Sequence, residues 1–178
     1  LPNWKELLKK FCLDNMKEFE YYKSMSNSNL PKTASLMSED FAEIWWSSPE
    51  FKKSRNDYIK KGDMINKASP LKYEISKYLE QKNIIKSSKI AREIENLRDV
   101  VIDGVITTNW DNFLEDIFAD YDVFIGQKDL INSTIHEIGE LYKIHGSISD
   151  FNSLILTDKD YQGFNDKNPY LAAKLLSI

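Results

Sequence analysis

The chain has 178 residues, of which 42% are hydrophobic and 12% aromatic, enough for one compact core and too few for two full domains of ordinary size. A formal net charge of −4 gives no overall reason to expect nucleic acid or an anionic membrane as a partner. The single cysteine, Cys12, excludes an internal disulfide and a four-cysteine zinc site and points to a reducing compartment.

In chain order, Asn3 and Glu6 have capping-box spacing, and Trp4, Leu7, Leu8, Phe11 and Cys12 then share one helical face, which predicts a first helix to about Tyr22. Ser24 to Lys32, rich in Ser and Asn and containing Pro31, reads as a loop. A second helix is expected from Thr33 to Trp46 with Ser35 or Ser38 as its cap. A third starts at Ser48-Pro49 and stops at Gly62, a fourth opens at Ser69-Pro70 and runs to about Gln81, and a fifth runs from Ser87 or Ser88 to about Leu97. Residues 1–98 are thus mainly helical. The basic clusters Lys52-Lys53-Ser54-Arg55 and Lys60-Lys61 read as solvated helix faces. Trp45, Trp46, Tyr58, Tyr73 and Tyr78 could line a nicotinamide or adenine pocket, but an aromatic stripe at helical spacing reads first as core.

Strands are expected only afterwards, at about Asp99 to Ile106, Asp122 to Ile125, Leu141 to Ile144 and Leu154 to Leu156, followed by a turn at Asn165 to Pro169 and a last helix over Tyr170 to Leu176. This predicts an α/β chain with a large helical N-terminal part, whose residues 99–178 carry the site. The stretch Val105-Ile106-Thr107-Thr108-Asn109-Trp110-Asp111 reads as a strand running into the helix-like Asn112 to Phe118. In open α/β sheets the carboxyl end of a strand is where ligands bind. Leu141-Tyr142-Lys143-Ile144-His145-Gly146-Ser147 has the same form. Two polar strand ends suggest one shared site.

The two motifs, Ile-Thr-Thr-Asn-x-Asp and Lys-Ile-His-Gly-Ser, in this order and a few dozen residues apart, resemble the sirtuin-like domains of bacterial antiphage NAD hydrolases, distant relatives of the protein-deacylating sirtuins. Ser153 to Tyr161 is similar to the family's strand, threonine and acidic helix start, and Leu1 to Leu8 to the segment that follows its Gly-Ala-Gly-x-Ser phosphate loop. The resemblance implies a Rossmann-like parallel sheet and a single sirtuin-like domain over residues 1–178, truncated at both ends. It also implies an enzyme that cleaves NAD, its substrate, to nicotinamide and ADP-ribose, with no zinc. The partners it implies are NAD and the further domains or subunits of a defence complex, or further copies of the chain. No apolar run of about 18 residues and no charged-then-apolar leader is present, so a cytoplasmic protein without membrane span or signal peptide is expected.

Cleaving the nicotinamide–ribose bond passes through an oxocarbenium-like sugar and needs a group that places water or a ribose hydroxyl and a base that takes its proton. A carboxamide can donate and accept at once without titrating, and an imidazole accepts a proton near neutral pH. By resemblance Asn109 and His145 take these catalytic places, Asp111 holds the nucleotide or the loop, and Thr107, Thr108, Gly146 and Ser147 lie along the cofactor. Read by themselves, Asn109 fits an N-cap of the following helix and Asp111 a first-turn acid, and His145-Gly146 fits a strand-end turn. Both motifs in family order favour the site. His136, near Glu137 and Glu140, reads as a surface residue, and no metal site is expected.

The six glycines form no Gly-x-Gly phosphate loop. The rival expectation is therefore a module that binds NAD or ADP-ribose without hydrolysing it. A protein deacylase is disfavoured by the missing zinc cysteines, and a purely structural helical domain is a third alternative.

Overall fold

The computed structural model describes residues 2–61, 66–82, 88–126, 139–164 and 169. It is a mixed α/β architecture, mostly helical, with a three-stranded parallel sheet, as expected of a Rossmann-like fold with a helical N-terminal part. The chain forms two compact units, one of Leu1–Leu79 with Ile155–Gly163 and the other of Glu80–Leu154 with Phe164–Ile178.

The first unit holds helices α1 (Trp4–Lys10), α2 (Phe19–Met25), α3 (Leu30–Ser47), α4 (Lys52–Lys60), α5 (Ser69–Glu80) and α8 (Asp158–Gln162), with a 3-10 turn at Pro49–Phe51 before α4. The Asn3–Glu6 capping box is formed in full. The expected single helix to Tyr22 is instead two. Phe11 caps α1, its N–H shared among the carbonyls of the last turn, and Met16 closes a turn on Leu13. Asp14 and Asn15 lie in that break, residue types that favour turns over helix interiors. The expected loop at Ser24 to Lys32 is also shorter. α2 continues to Met25, Asn27 and Ser28 take left-handed φ of 52° and 61°, and α3 begins at Leu30 on an Asn29 cap with Pro31 in its first turn. Ser35 and Ser38 are therefore interior residues, not caps.

Trp45 is fully buried, packs edge-on against Tyr58 and Tyr73, and donates its indole N–H to Glu74 at 2.8 Å. Three of the aromatic residues weighed for a pocket are thus core, the preferred reading. Arg55, from the first basic cluster, donates to the carbonyls of Ser48, at 2.7 Å, and of Trp45, satisfying the C-terminal end of α3. Lys72 is buried and pairs with Asp160 at 2.9 Å. Burial pushes the Asp160 carboxyl up, but the Lys72 ammonium and the Thr157 amide and hydroxyl outweigh it and hold the group below the usual carboxylate range.

The second unit holds α6 (Ser88–Arg98), β1 (Gly104–Thr107), α7 (Phe113–Ile117), β2 (Asp122–Ile125) and β3 (Glu140–Lys143), with a 3-10 turn at Phe151–Ser153. The sheet order is β1-β3-β2, all parallel. β3 is the central strand, and Leu141, Tyr142 and Lys143 are buried, as befits a strand covered on both faces. Phe124 stacks on Tyr142 at 5.3 Å, with Ile144 and Phe164 packed beside them.

Two strand expectations are corrected. Asp99 to Asp103 lies outside β1, because the ladder begins only where the Glu140 N–H donates to the Asp103 carbonyl; Val101 is 97% exposed. Leu154 to Leu156 forms no strand. The Leu154 N–H turns back to Phe151, and the Leu156 N–H is taken by the Asp160 carboxylate. The threonine and acidic helix start beyond it do form, since Thr157 and Asp160 make a capping box that opens α8. Gly62, Ser87, His136 and its neighbour Glu137, the turn at 165–168 and the helix expected from Tyr170 lie outside the described residues.

Candidate functional site

β1 and β3 pair with Gly104 opposite Glu140 and Thr107 opposite Lys143. Both sequence motifs therefore run out of the same edge of the sheet, on adjacent strands, at the carboxyl ends where open parallel sheets receive ligands. Asn109 follows the end of β1 by two residues and His145 the end of β3 by two. The loops beyond are stitched together. The Ile144 N–H donates to the Thr107 carbonyl at 3.0 Å, the Ile148 N–H to the Trp110 carbonyl at 2.9 Å, and the Ser147 hydroxyl to the Asn112 Oδ1 at 3.4 Å.

On the first loop, Thr107 is buried and its Oγ1 accepts the Asn109 N–H at 3.0 Å. Thr108 and Asn109 are exposed. The Asn109 carboxamide has no hydrogen-bond partner among the described residues. Nor is it a helix cap: α7 starts at Phe113, with Asn112 at the cap position. Asp111 does serve the helix start, since its Oδ1 accepts the Phe113 N–H at 3.0 Å.

On the second loop, His145 is half-buried, its ring 6.3 Å from that of Phe164 in an edge-to-face arrangement. Burial lowers its pKa below the ordinary 6.5, so the neutral imidazole, the form able to accept a proton, predominates at neutral pH. Gly146 has φ of +89°, and a Cβ there would run into the Ser153 carbonyl. Here glycine is required by the chain itself. Ser147 is fully buried; its N–H donates to Ser153 Oγ at 2.9 Å and its Oγ lies 2.9 Å from that of Ser149. Gly146 and Ser147 thus have structural tasks inside the turn.

Sequence reading passed over Lys143, Asn112 and Glu115. Lys143 is completely buried. Its ammonium reaches the Asp111 carbonyl at 2.6 Å, the Trp110 carbonyl at 3.3 Å, Asn112 Oδ1 at 3.5 Å and the Glu115 carboxylate. The signal was a lysine inside an otherwise apolar strand run, Leu141-Tyr142-Lys143-Ile144; lysine is almost never fully buried unless paired.

The family model described as a SIR2-like domain matches residues 103–178. The match takes in β1, β2 and β3 and both motifs, supports a sirtuin-like domain in this segment, and points to an NAD-related function in general, including NAD binding. No curated protein matches the chain. Among the described residues no group of His, Cys, Asp and Glu could hold a metal ion, and no helix is long and apolar enough to cross a membrane.

Proposed function

We propose that this chain is an NAD glycohydrolase, cleaving NAD to nicotinamide and ADP-ribose as the cytoplasmic effector of a larger antiphage defence protein or complex. In this reading residues 1–178 belong to one sirtuin-like domain. The observation that carries it is the β1–β3 register, which brings the Asn109 and His145 motifs out of one sheet edge within a segment that matches a SIR2-like domain.

The bond from the nicotinamide nitrogen to the ribose breaks, and nicotinamide leaves with the electron pair. The cationic sugar is then attacked by water, whose proton must be taken up. The Asn109 carboxamide, exposed on a loop whose backbone is fixed, suits the placing of water and a ribose hydroxyl. His145, held neutral by burial, suits the proton transfer. Thr107, Thr108, Asp111, Gly146 and Ser147 would form the cofactor wall. Thr107, Asp111 and Ser147 contribute through the loop backbone they fix.

The test is incubation of the purified chain with NAD and assay of free nicotinamide. Release by the wild type, lost in Asn109→Ala and His145→Ala, supports the proposal; undiminished release in both variants ends it. The second reading, an NAD or ADP-ribose binding module without turnover, is favoured by the internal commitments of Gly146 and Ser147. Tight calorimetric binding of NAD with no nicotinamide formed would select it.

A further inference from the structure

We infer that Lys143 is a positioning residue for Asn109, an inference that rests on the NAD reading only where activity is the readout. An ammonium at a completely buried strand position costs desolvation that a methionine or leucine of similar size would avoid. Core packing therefore does not account for the charge. The acceptors do. The Trp110 carbonyl at 3.3 Å, the Asp111 carbonyl at 2.6 Å, Asn112 Oδ1 at 3.5 Å and the Glu115 carboxylate all belong to one short segment, directly after Asn109.

On the other side, Thr107 Oγ1 accepts the Asn109 N–H at 3.0 Å. Asn109 is thus suspended between two anchors, one from the end of β1 and one from the facing residue of β3, since Thr107 and Lys143 are register partners. Its carboxamide carries no hydrogen bond to a described residue that could orient it. The backbone on either side fixes where that side chain starts, and Lys143 fixes the C-terminal half. The same ammonium links the first motif to the second, because Lys143 stands two residues before His145.

The test compares wild type, Lys143→Met, and the double variant Lys143→Met/Glu115→Met, which leaves no lone carboxylate behind and keeps the inference testable if the single variant fails to fold. Hydrogen exchange is read at the Asn109, Phe113 and Ile148 amides, bonded within or onto the loop, and at the Glu140 and Ile144 amides, bonded in the β1–β3 ladder. Positioning predicts that the loop amides of the double variant exchange at least about tenfold faster while the ladder amides keep their protection. It further predicts that kcat for nicotinamide release falls at least about tenfold with KM little changed. Loop protection equal to wild type overturns the inference, as does a uniform loss over loop and ladder alike. If the wild type releases no nicotinamide, the NAD reading fails, and the exchange data still decide the role of Lys143.

Discussion

The Asn109 N–H donates to the Thr107 hydroxyl oxygen at 3.0 Å, so the last side chain of β1 fixes the backbone of the residue proposed above to place water and a ribose hydroxyl. Thr107→Val keeps the shape and removes the acceptor. We expect a loss of about 1 kcal/mol in denaturant unfolding and slower nicotinamide release, with Thr107→Ser close to wild type on both. A valine variant as active as wild type would separate this hydrogen bond from function.

Gly146→Ala should destabilise through the positive φ alone by on the order of 1–3 kcal/mol, with the collision against the Ser153 carbonyl adding to it. Because the obstacle includes main chain, Ser153→Ala should not rescue the variant. Thermal melts of the single and double variants check this, and recovery in the double would contradict it.

His145 gives a pH prediction with a definite sign. Its pKa in the folded chain is lowered by burial below 6.5, so well above pH 6.5 the residue is neutral in folded and unfolded states and costs nothing. As pH falls below 6.5 the unfolded chain takes the proton first, and stability declines through the lowered value. The rate of nicotinamide release should follow the same limb, with its half-maximal point on the acid side of pH 6.5. A half-maximal rate above pH 6.5 would exclude His145 as the base.

The Lys72–Asp160 pair should make the first unit acid-sensitive. The Asp160 carboxyl titrates below its usual range when folded. Its contribution is therefore present above the unfolded value of about 3.9 and lost as pH falls through the lower folded one. Asp160→Asn leaves Lys72 buried without its counter-charge and should cost about 3–5 kcal/mol at neutral pH. It should also flatten the acid limb of a stability profile. A variant whose acid limb superimposes on that of wild type would refute the assignment.

What could be read in the sequence was local. Asn3 with Glu6 announces a helix start by spacing alone, and that capping box formed; the threonine and acidic helix start at Thr157, expected from the resemblance, formed a second one with Asp160. The β1 and β3 motifs announced strand ends because apolar residues gave way to polar ones at a defined point. What failed depended on where the backbone groups found their partners, near or far. Val100 to Ile102 has strand composition but lies before the first ladder bond to β3, and the apolar Leu154 to Leu156 spends its backbone donors on nearby turns. Lys143 stood out as a lysine within an apolar strand run, but its partners were not legible there, because the carbonyls converging on it lie more than thirty residues earlier in the chain.

β3 reaches both neighbours at once, and its alternating side chains meet unlike surroundings, Tyr142 against Phe124 and Lys143 against the carbonyls after Asn109. Inserting or deleting one residue between Gly139 and Gly146 would exchange those two environments, sending a cation into aromatic packing and a phenol among peptide oxygens. The spacing of this stretch should consequently tolerate substitution far better than any change in its length.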